Sequence, residues 1–323
     1  MVEGKRALGL GSVLKPELSI FVVLVLSLAA GVMLSPNFLD LRFILRSTSL
    51  YAELGIIALA FTYLLIAGEI DVSVASAMTL TACIMARMYE SGISLNLVLP
   101  CGAAIGLMLG LFNGILVTVT KLPSLIITLG TMSLYKGLAQ VLVGDKGIGG
   151  FPPWFVGIDN RLLFGIIPFP LFIFMILAVL MEIVLKNTFF GRKIFAIGSS
   201  KDVARYSAVK VDKMKVVLFG LVGLFCAIAA MLSVSRLQVA KYTIGTGGEL
   251  DVITMVLLGG TAFSGGRGSI LATMLAFFAI VFVRTGMLLA ILSSYVQVAV
   301  IGSLLIFVMI VSDRVAKYSR EHS

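Results

Sequence analysis

Apolar residues fall in long runs divided by short polar segments, a pattern that dictates helices crossing a lipid bilayer. Such a helix takes about 20 mainly apolar residues, fewer where neighbouring helices cover its ends. The sequence supplies about ten of these runs. The first extends from Glu17 to Leu34 and stops before Pro36; the others lie at about 51–67, 73–88, 97–118, 124–143, 162–185, 216–239, 250–262, 269–286 and 295–311. A short turn holding Gly68, Glu69, Ile70 and Asp71 divides the second run from the third, and a polar segment, 186–215, divides the sixth from the seventh. The eighth run is short, and an apolar stretch from Met287 to Leu292 trails the ninth. Either suits a re-entrant segment, because broken helices are tolerated where they are buried in protein or line a cavity. No Pro-rich or Ser-rich linker interrupts the pattern, so 1–323 reads as a single membrane domain, with 1–16, 186–215 and 312–323 outside the bilayer.

Composition agrees and adds an orientation. Hydrophobic residues make up 59% and charged residues only 13%, with a mean hydropathy of +1.11, where a soluble domain carries about a quarter charged residues. The first run is too long for a signal peptide and lacks a small-residue cleavage site behind it. With the N-terminus inside, the segments on the cytoplasmic side hold sixteen Lys and Arg, eight of them between Lys186 and Lys215, against five (Arg42, Arg46, Lys146, Arg161, Lys241) outside. Basic residues collect in cytoplasmic loops, so the expected fold is all-α and polytopic, with about ten transmembrane helices and both termini cytoplasmic. The net charge of +9 is then explained by orientation, and a nucleic-acid partner is not needed. Cys83, Cys101 and Cys226 all lie within apolar runs and read as small buried hydrophobes. The single histidine, His322, next to the last residue, excludes Ser/His proteolysis and histidine-held metal within the membrane. No catalytic residue, cofactor or metal is expected.

The polar segment is the most informative. Its centre reads Gly191-Arg-Lys-Ile-Phe-Ala-Ile-Gly198, followed by Ser199-Ser-Lys-Asp202-Val-Ala204-Arg-Tyr206-Ser-Ala208. Ser199 three residues before Asp202 fits a capping box and predicts a short helix reaching about Ala208. So small an apolar face needs a groove or a membrane surface to lie on, and both readings stand.

These residues resemble the cytoplasmic coupling loop of the permease subunits of ribose-type ABC importers. Three further blocks continue the likeness in the family's order: Ala67-Gly68-Glu-Ile-Asp71-Val-Ser; Leu122-Pro-Ser-Leu-Ile-Ile-Thr128-Leu-Gly130-Thr131; and Gly247-Gly-Glu-Leu-Asp251 through Leu258-Gly259-Gly260-Thr-Ala-Phe-Ser-Gly265-Gly266-Arg-Gly-Ser269. Glu69 departs from the glycine usual in that family, and Ala75 stands where glycine is common. The resemblance implies a permease that pairs with a second copy or a paralogue. It also implies two cytoplasmic ATPase subunits, or one tandem ATPase, docking through Gly191, Gly198, Asp202, Ala204, Tyr206 and Ala208, and solute delivered by an external substrate-binding protein. Gly68, Asp71, Gly259, Gly260, Gly265 and Gly266 would form gating turns. The sequence has no Gly-x-x-x-x-Gly-Lys-[Ser/Thr] loop, so ATP hydrolysis is expected from separate subunits.

Within the membrane, Thr128, Gly130, Thr131 and Ser133 interrupt the fifth run beside a helix break and are candidates for a translocation path; their hydroxyls equally suit bonds to carbonyls of their own helix. Gly106, Gly110 and Gly114 form a small-residue stripe that suits close helix packing inside one subunit, or else a subunit interface. Arg87, Arg236 and Arg284 lie where they can snorkel, whereas Lys136, near mid-span, suits an ion pair or a cavity. Trp154 suits an interfacial anchor or a contact for an external protein. Asp71 is placed to cap the helix that follows it through the N–H groups of Ser73 and Val74. Together these features favour a permease of an ATP-driven, binding-protein-dependent importer for a monosaccharide or similar small polar solute. The alternatives are a secondary transporter, which would want acids near the midplane, or an importer of branched-chain amino acids, nucleosides or a furanose signal.

Overall fold

A computed structural model describes residues 16–34, 38, 40–159 and 161–321. The basic N-terminal segment with Lys5, Arg6 and Lys15 lies outside the described residues, as does His322. Fourteen helices appear among the described residues: α1 (Pro16–Leu34), α2 (Leu41–Ser49), α3 (Ala52–Ile66), α4 (Val74–Glu90), α5 (Leu95–Thr120), α6 (Ser124–Val143), α7 (Pro153–Val156), α8 (Phe169–Asn187), α9 (Phe189–Ser199), α10 (Lys201–Tyr206), α11 (Val211–Leu237), α12 (Gly248–Leu258), α13 (Ile270–Leu289) and α14 (Ser294–Glu321). Two small antiparallel pairs accompany them. β1 (Ile148–Gly149) pairs with β4 (Val239–Ala240), and β2 (Leu162–Leu163) with β3 (Ile167–Pro168).

By length and composition α5, α6, α8, α11 and α13 can each cross a membrane, and α2 with α3, bent by 63° at their junction, would make a sixth span. The chain is therefore a polytopic helical membrane protein. α12, with 11 residues, rises only about 16 Å, roughly half the hydrocarbon core. It survives because it is buried on α3, α13 and α14 rather than facing lipid.

Three boundaries differ from the expectation. The sixth run begins seven residues later, at Phe169, because Phe164 and Gly165 take positive φ and turn 162–168 into the β2–β3 hairpin. The polar segment holds two helices, not one, and α11 starts at Val211, drawing Lys213 and Lys215 into its first turns. Met287 to Leu289 complete α13, and a turn with Ile291 at φ 57° leads straight to α14, so no re-entrant segment forms there. α2 went unforeseen. Asp40 caps it by accepting from the Arg42 N–H at 2.9 Å.

The core forms around α3, almost every residue of which is buried, with α11 and α4 beside it. α5 lies along α11 over most of its length. The small-residue stripe explains this: a β-carbon on Gly106, Gly110 or Gly114 would meet α11 at 2.5 Å (Gly223 O), 2.2 Å (Phe219 O) or 2.8 Å (Val216 Cα). The stripe thus packs within one chain. Cys83 and Cys226 are buried as expected; Cys101 is exposed on α5, because one face of that helix has no neighbour.

Arg236 and Arg284 do not reach out to solvent but pair across helices, whereas Arg87, 58% exposed, pairs only with Glu90 of its own helix. Arg236 on α11 bonds Glu53 on α3 through Nε at 3.1 Å and through a second guanidinium nitrogen. Arg284 on α13 bonds Asp251 on α12 and lies over the Tyr51 ring, 5.4 Å from its centroid. Each pair joins two helices, with an acid side chain 5% or 9% exposed, and a buried charge left unpaired is costly.

Candidate functional site

One end of the bundle gathers α9, α10, the turn 67–73, the start of α6 and the glycine-rich loop 259–269. Here the α3 carbonyl of Ile66 accepts from the Gly266 N–H at 2.8 Å, and a β-carbon on Gly198 would lie 1.8 Å from that same oxygen. α9 therefore approaches the end of α3 backbone to backbone. Gly265, at φ +84°, touches Gly68, itself at φ +73°. The two turns expected to gate thus meet each other, with Gly260 (φ +77°) shaping the loop and Gly259 fitted against Thr273 of α13.

The coupling residues separate into two groups. Gly191 fits against the end of α8, where a β-carbon would sit 1.8 Å from the Leu185 carbonyl, and Gly198 is inside the junction just described. Both are positions of close backbone approach within the chain. On α10 the cap is Ser200, one residue beyond the expected Ser199, its Oγ accepting from the Val203 N–H at 3.3 Å. Asp202 becomes the second residue of the helix. Ala208, at φ +60°, lies beyond the helix end at Tyr206. Ala204, expected on a docking face, is 1% exposed and packed against this chain, whereas Val203 (63%) and Tyr206 (91%) face outward.

The turn 67–73 is held from two sides. Asp71 Oδ1 accepts from the Ser73 N–H (2.8 Å) and hydroxyl (2.6 Å), and Oδ2 from Asn113 Nδ2 on α5 at 3.3 Å. The expected bond to Val74 is replaced by this reach to α5. Tyr135 of α6 donates to Asn113 Oδ1 at 3.0 Å. From α6, Ser124 Oγ accepts from the Ile70 N–H (3.0 Å) and Thr128 Oγ1 from the Val72 N–H (3.2 Å). Glu69 completes the turn: Lys201 Nζ on α10 and Lys215 Nζ on α11 lie 2.8 and 2.7 Å from its Oε1. Burial alone would push this carboxyl up, but the hydrogen bonds and positive charges of the two lysines together outweigh it and hold it below the ordinary glutamate range.

The four residues proposed for a path do not line one surface. Thr128 clamps the turn, and Thr131 bonds the Thr128 carbonyl at 3.4 Å and faces inward. Gly130 faces outward with nothing within 4 Å. Only Ser133 lines a cavity of about 230 Å³, together with Ser76 and Thr79 of α4, Lys136 of α6, Tyr242, Thr246 and Glu249. The irregular segment 241–247 reaches in to place Gly245 against α4, its N–H donating to Thr79 Oγ1 at 3.1 Å. Among the described residues Lys136 enters no ion pair within 4 Å, and it shares the cavity with Glu249. Of this lining the sequence pointed to Ser133 and Lys136. Ser76, Thr79, Tyr242, Thr246 and Glu249 come from separate segments with no common signature.

Comparison with known proteins supplies the family. Residues 43–309 match the family described as branched-chain amino acid transport system / permease component. The autoinducer 2 import system permease proteins LsrD of Yersinia enterocolitica and Yersinia pseudotuberculosis are each 36% identical over 300 residues, covering 91% of this chain and 90% of theirs. The LsrD protein of Yersinia pestis is 35% identical over the same shares. No solved structure matches the chain. A family match over most of the length and relatives this similar, for a chain with five helices long and apolar enough to cross a membrane, establish that the chain belongs to this permease family and is a multi-pass inner-membrane permease subunit of an ABC importer.

Proposed function

We propose that the solute is small, uncharged and rich in hydroxyls, of the furanose type, and specifically that it is autoinducer 2, the solute named for the relatives. The observation that carries this is the cavity lining. Ser76, Thr79, Ser133, Tyr242 and Thr246 offer hydroxyls, and Lys136 and Glu249 balance each other's charge, so nothing selects an ion. At about 230 Å³ it falls below the range of about 300–1,000 Å³ typical of drug-sized ligands. Weak, distributed hydrogen bonds also suit a solute that must be released.

In this reading 1–323 form one membrane domain crossing ten times, on α1, α3, α4, α5, α6, α8, α11, α12, α13 and α14, with both termini cytoplasmic. The end carrying α9 and α10 then faces two ATPase subunits or one tandem ATPase, docked on the outward Val203 and Tyr206. The unaccompanied face of α6, including Gly130, takes a second copy of the chain or a paralogue. The opposite end receives the substrate-binding protein. In a cysteine-free background, cysteines at Lys146 and Lys241 should be labelled from outside and those at Lys201 and Lys317 only from inside; external labelling at Lys201 ends the ten-span reading. For the solute, proteoliposomes holding the permease, its ATPase and its binding protein should accumulate labelled autoinducer 2 only with ATP. Ser76→Val with Thr79→Val should slow uptake without loss of ATPase binding, and unchanged uptake would remove the cavity from the path.

A further inference from the structure

We infer that Glu69 is a positioning residue, a strut through which a displacement of α10 is carried into α6 and thence to the solute cavity. The inference rests on the importer reading, in which α10 meets the ATPase, and adds how that contact reaches the membrane.

α10 has few ties to the rest of its own chain. Ala204 packs inward, and Arg205 pairs with Asp212 at 3.4 Å, but both members of that pair are more than half exposed, and exposed pairs contribute little. The remaining charged tie is Lys201 to Glu69, and it differs in kind because the Glu69 side chain is only 4% exposed. One carboxylate oxygen therefore holds α10, through Lys201, and α11, through Lys215. Without it two ammonium groups would face each other across the vacated point, so loss of the negative charge replaces attraction by repulsion.

The other side of the strut is equally specific. The residues beside Glu69 are pinned to α6 by main-chain bonds, Ile70 to Ser124 and Val72 to Thr128. α6 runs unbroken from Ser124 to Val143 and carries Ser133 and Lys136 into the cavity. A push on α10 thus has a continuous route: Lys201, Glu69, the turn, Ser124 and Thr128, then the helix as a rigid rod. Glu69 and Lys201 also line a second cavity, of about 730 Å³, beside Lys121 and Arg205. The strut therefore stands at an open space rather than in a packed core, and has room to move.

The test compares transport per ATP hydrolysed in proteoliposomes of the full complex, together with ATPase co-purification and thermal stability. Glu69→Gln should retain the ATPase and its hydrolysis while solute moved per ATP falls about 5-fold or more, the low end of measured couplings between sites. Exchanging the charges of the whole triad, Glu69→Lys with Lys201→Glu and Lys215→Glu, should restore the ratio. An unchanged ratio in Glu69→Gln, or no recovery on exchange, overturns the strut. So does a fall in stability and in both activities together, which marks a structural ion pair only. If Glu69→Gln is poorly inserted, Lys201→Gln, at an exposed position, is read in the same way, and an unchanged ratio there is equally fatal. Failure of the unaltered permease to bind ATPase would instead overturn the importer reading beneath it.

Discussion

The contact between α5 and α11 gives the sharpest test of the packing, because one substitution should change sign with position. A methyl at Gly110 would lie 2.2 Å from the Phe219 carbonyl oxygen and 3.0 Å from Gly223 Cα, both backbone atoms that cannot swing aside. Ordinary contact begins near 3.4 Å, so the helices must part by about 1 Å there. A gap of that size forfeits about a quarter to a half of each affected contact, and overpacking of this kind costs about 1–3 kcal/mol. Against it stands the gain from replacing glycine inside a helix, up to about 1 kcal/mol. Gly137 on α6 provides the control, because nothing lies within 4 Å of its added methyl and only the gain remains. The propensity gain cancels between the two sites, leaving Gly110→Ala about 1–3 kcal/mol less stable than Gly137→Ala. At about 2–4 °C per kcal/mol for chains of 150–250 residues, and less for a longer one, thermal unfolding in detergent resolves the difference. Gly223→Ala, whose methyl would meet the Gly106 carbonyl at 2.1 Å, should act similarly and less than additively with Gly110→Ala, since the first parting makes room for the second. Equal stabilisation by Gly110→Ala and Gly137→Ala would refute the close approach.

Asp71→Asn keeps an acceptor for the Ser73 N–H and should cost about 1 kcal/mol, while Asp71→Leu strands buried donors on Ser73 and Asn113 at about 1–3 kcal/mol each; equal melting temperatures would exclude the role. Arg236→Met should cost about 3–5 kcal/mol by leaving Glu53 unpaired and buried, and adding Glu53→Gln should recover most of it, read by the same unfolding assay. Tyr206→Ala should lower ATPase co-purification without changing the permease's own stability, whereas Ala204→Trp should destabilise the permease itself; the opposite pattern would put the docking face back on Ala204. Because the Glu69 carboxyl is held below its ordinary value of 4.5, its ion pairs contribute fully above that pH and are lost only as pH falls through the lower folded value, so solute moved per ATP hydrolysed should be flat from neutral pH down to about 5.

The long apolar helices were legible because apolar run length is a local property, and five of them, or six spans with the bent α2–α3 pair, are long enough for a bilayer. The small-residue stripe was legible for the same reason, since Gly106, Gly110 and Gly114 fall on one face of any helix. Turn chemistry was legible only to within a residue. Ser199 and Ser200 are equally able to cap, and Ser200 does so; that Ala204 packs inward and Tyr206 faces outward is set by the contacts of α10 with the rest of the chain, which no local pattern shows. Starts preceded by positive φ at a non-glycine, such as Phe164, left no mark in the sequence. Least legible were partnerships across the fold. Glu53 reads as a boundary glutamate until Arg236, 183 positions away, comes beside it. Ser76, Lys136 and Glu249 share no motif and meet only because 241–247 folds inward against α4.

The contrast between Glu69 and Asp71, two positions apart, bears on where motion can occur. Asp71 is buried among hydrogen bonds from Ser73 and Asn113, neutral groups fixed to α4 and α5, and Tyr135 extends that network to α6. Separating any of these would leave a buried charge or donor unsatisfied, at about 1–3 kcal/mol for a neutral group and more for a charged one, so α4, α5 and α6 are locked to the turn and move with it. Glu69 instead faces the long, flexible stems of two lysines at the edge of an open cavity, bonds that tolerate displacement without being broken. The turn is therefore rigid toward the membrane and compliant toward α10. That arrangement serves a coupling element: the lysine stems let α10 turn while it stays attached to Glu69, and because the joint between the turn and α6 is locked, the movement that arrives at Glu69 is passed on to Ser133 and Lys136.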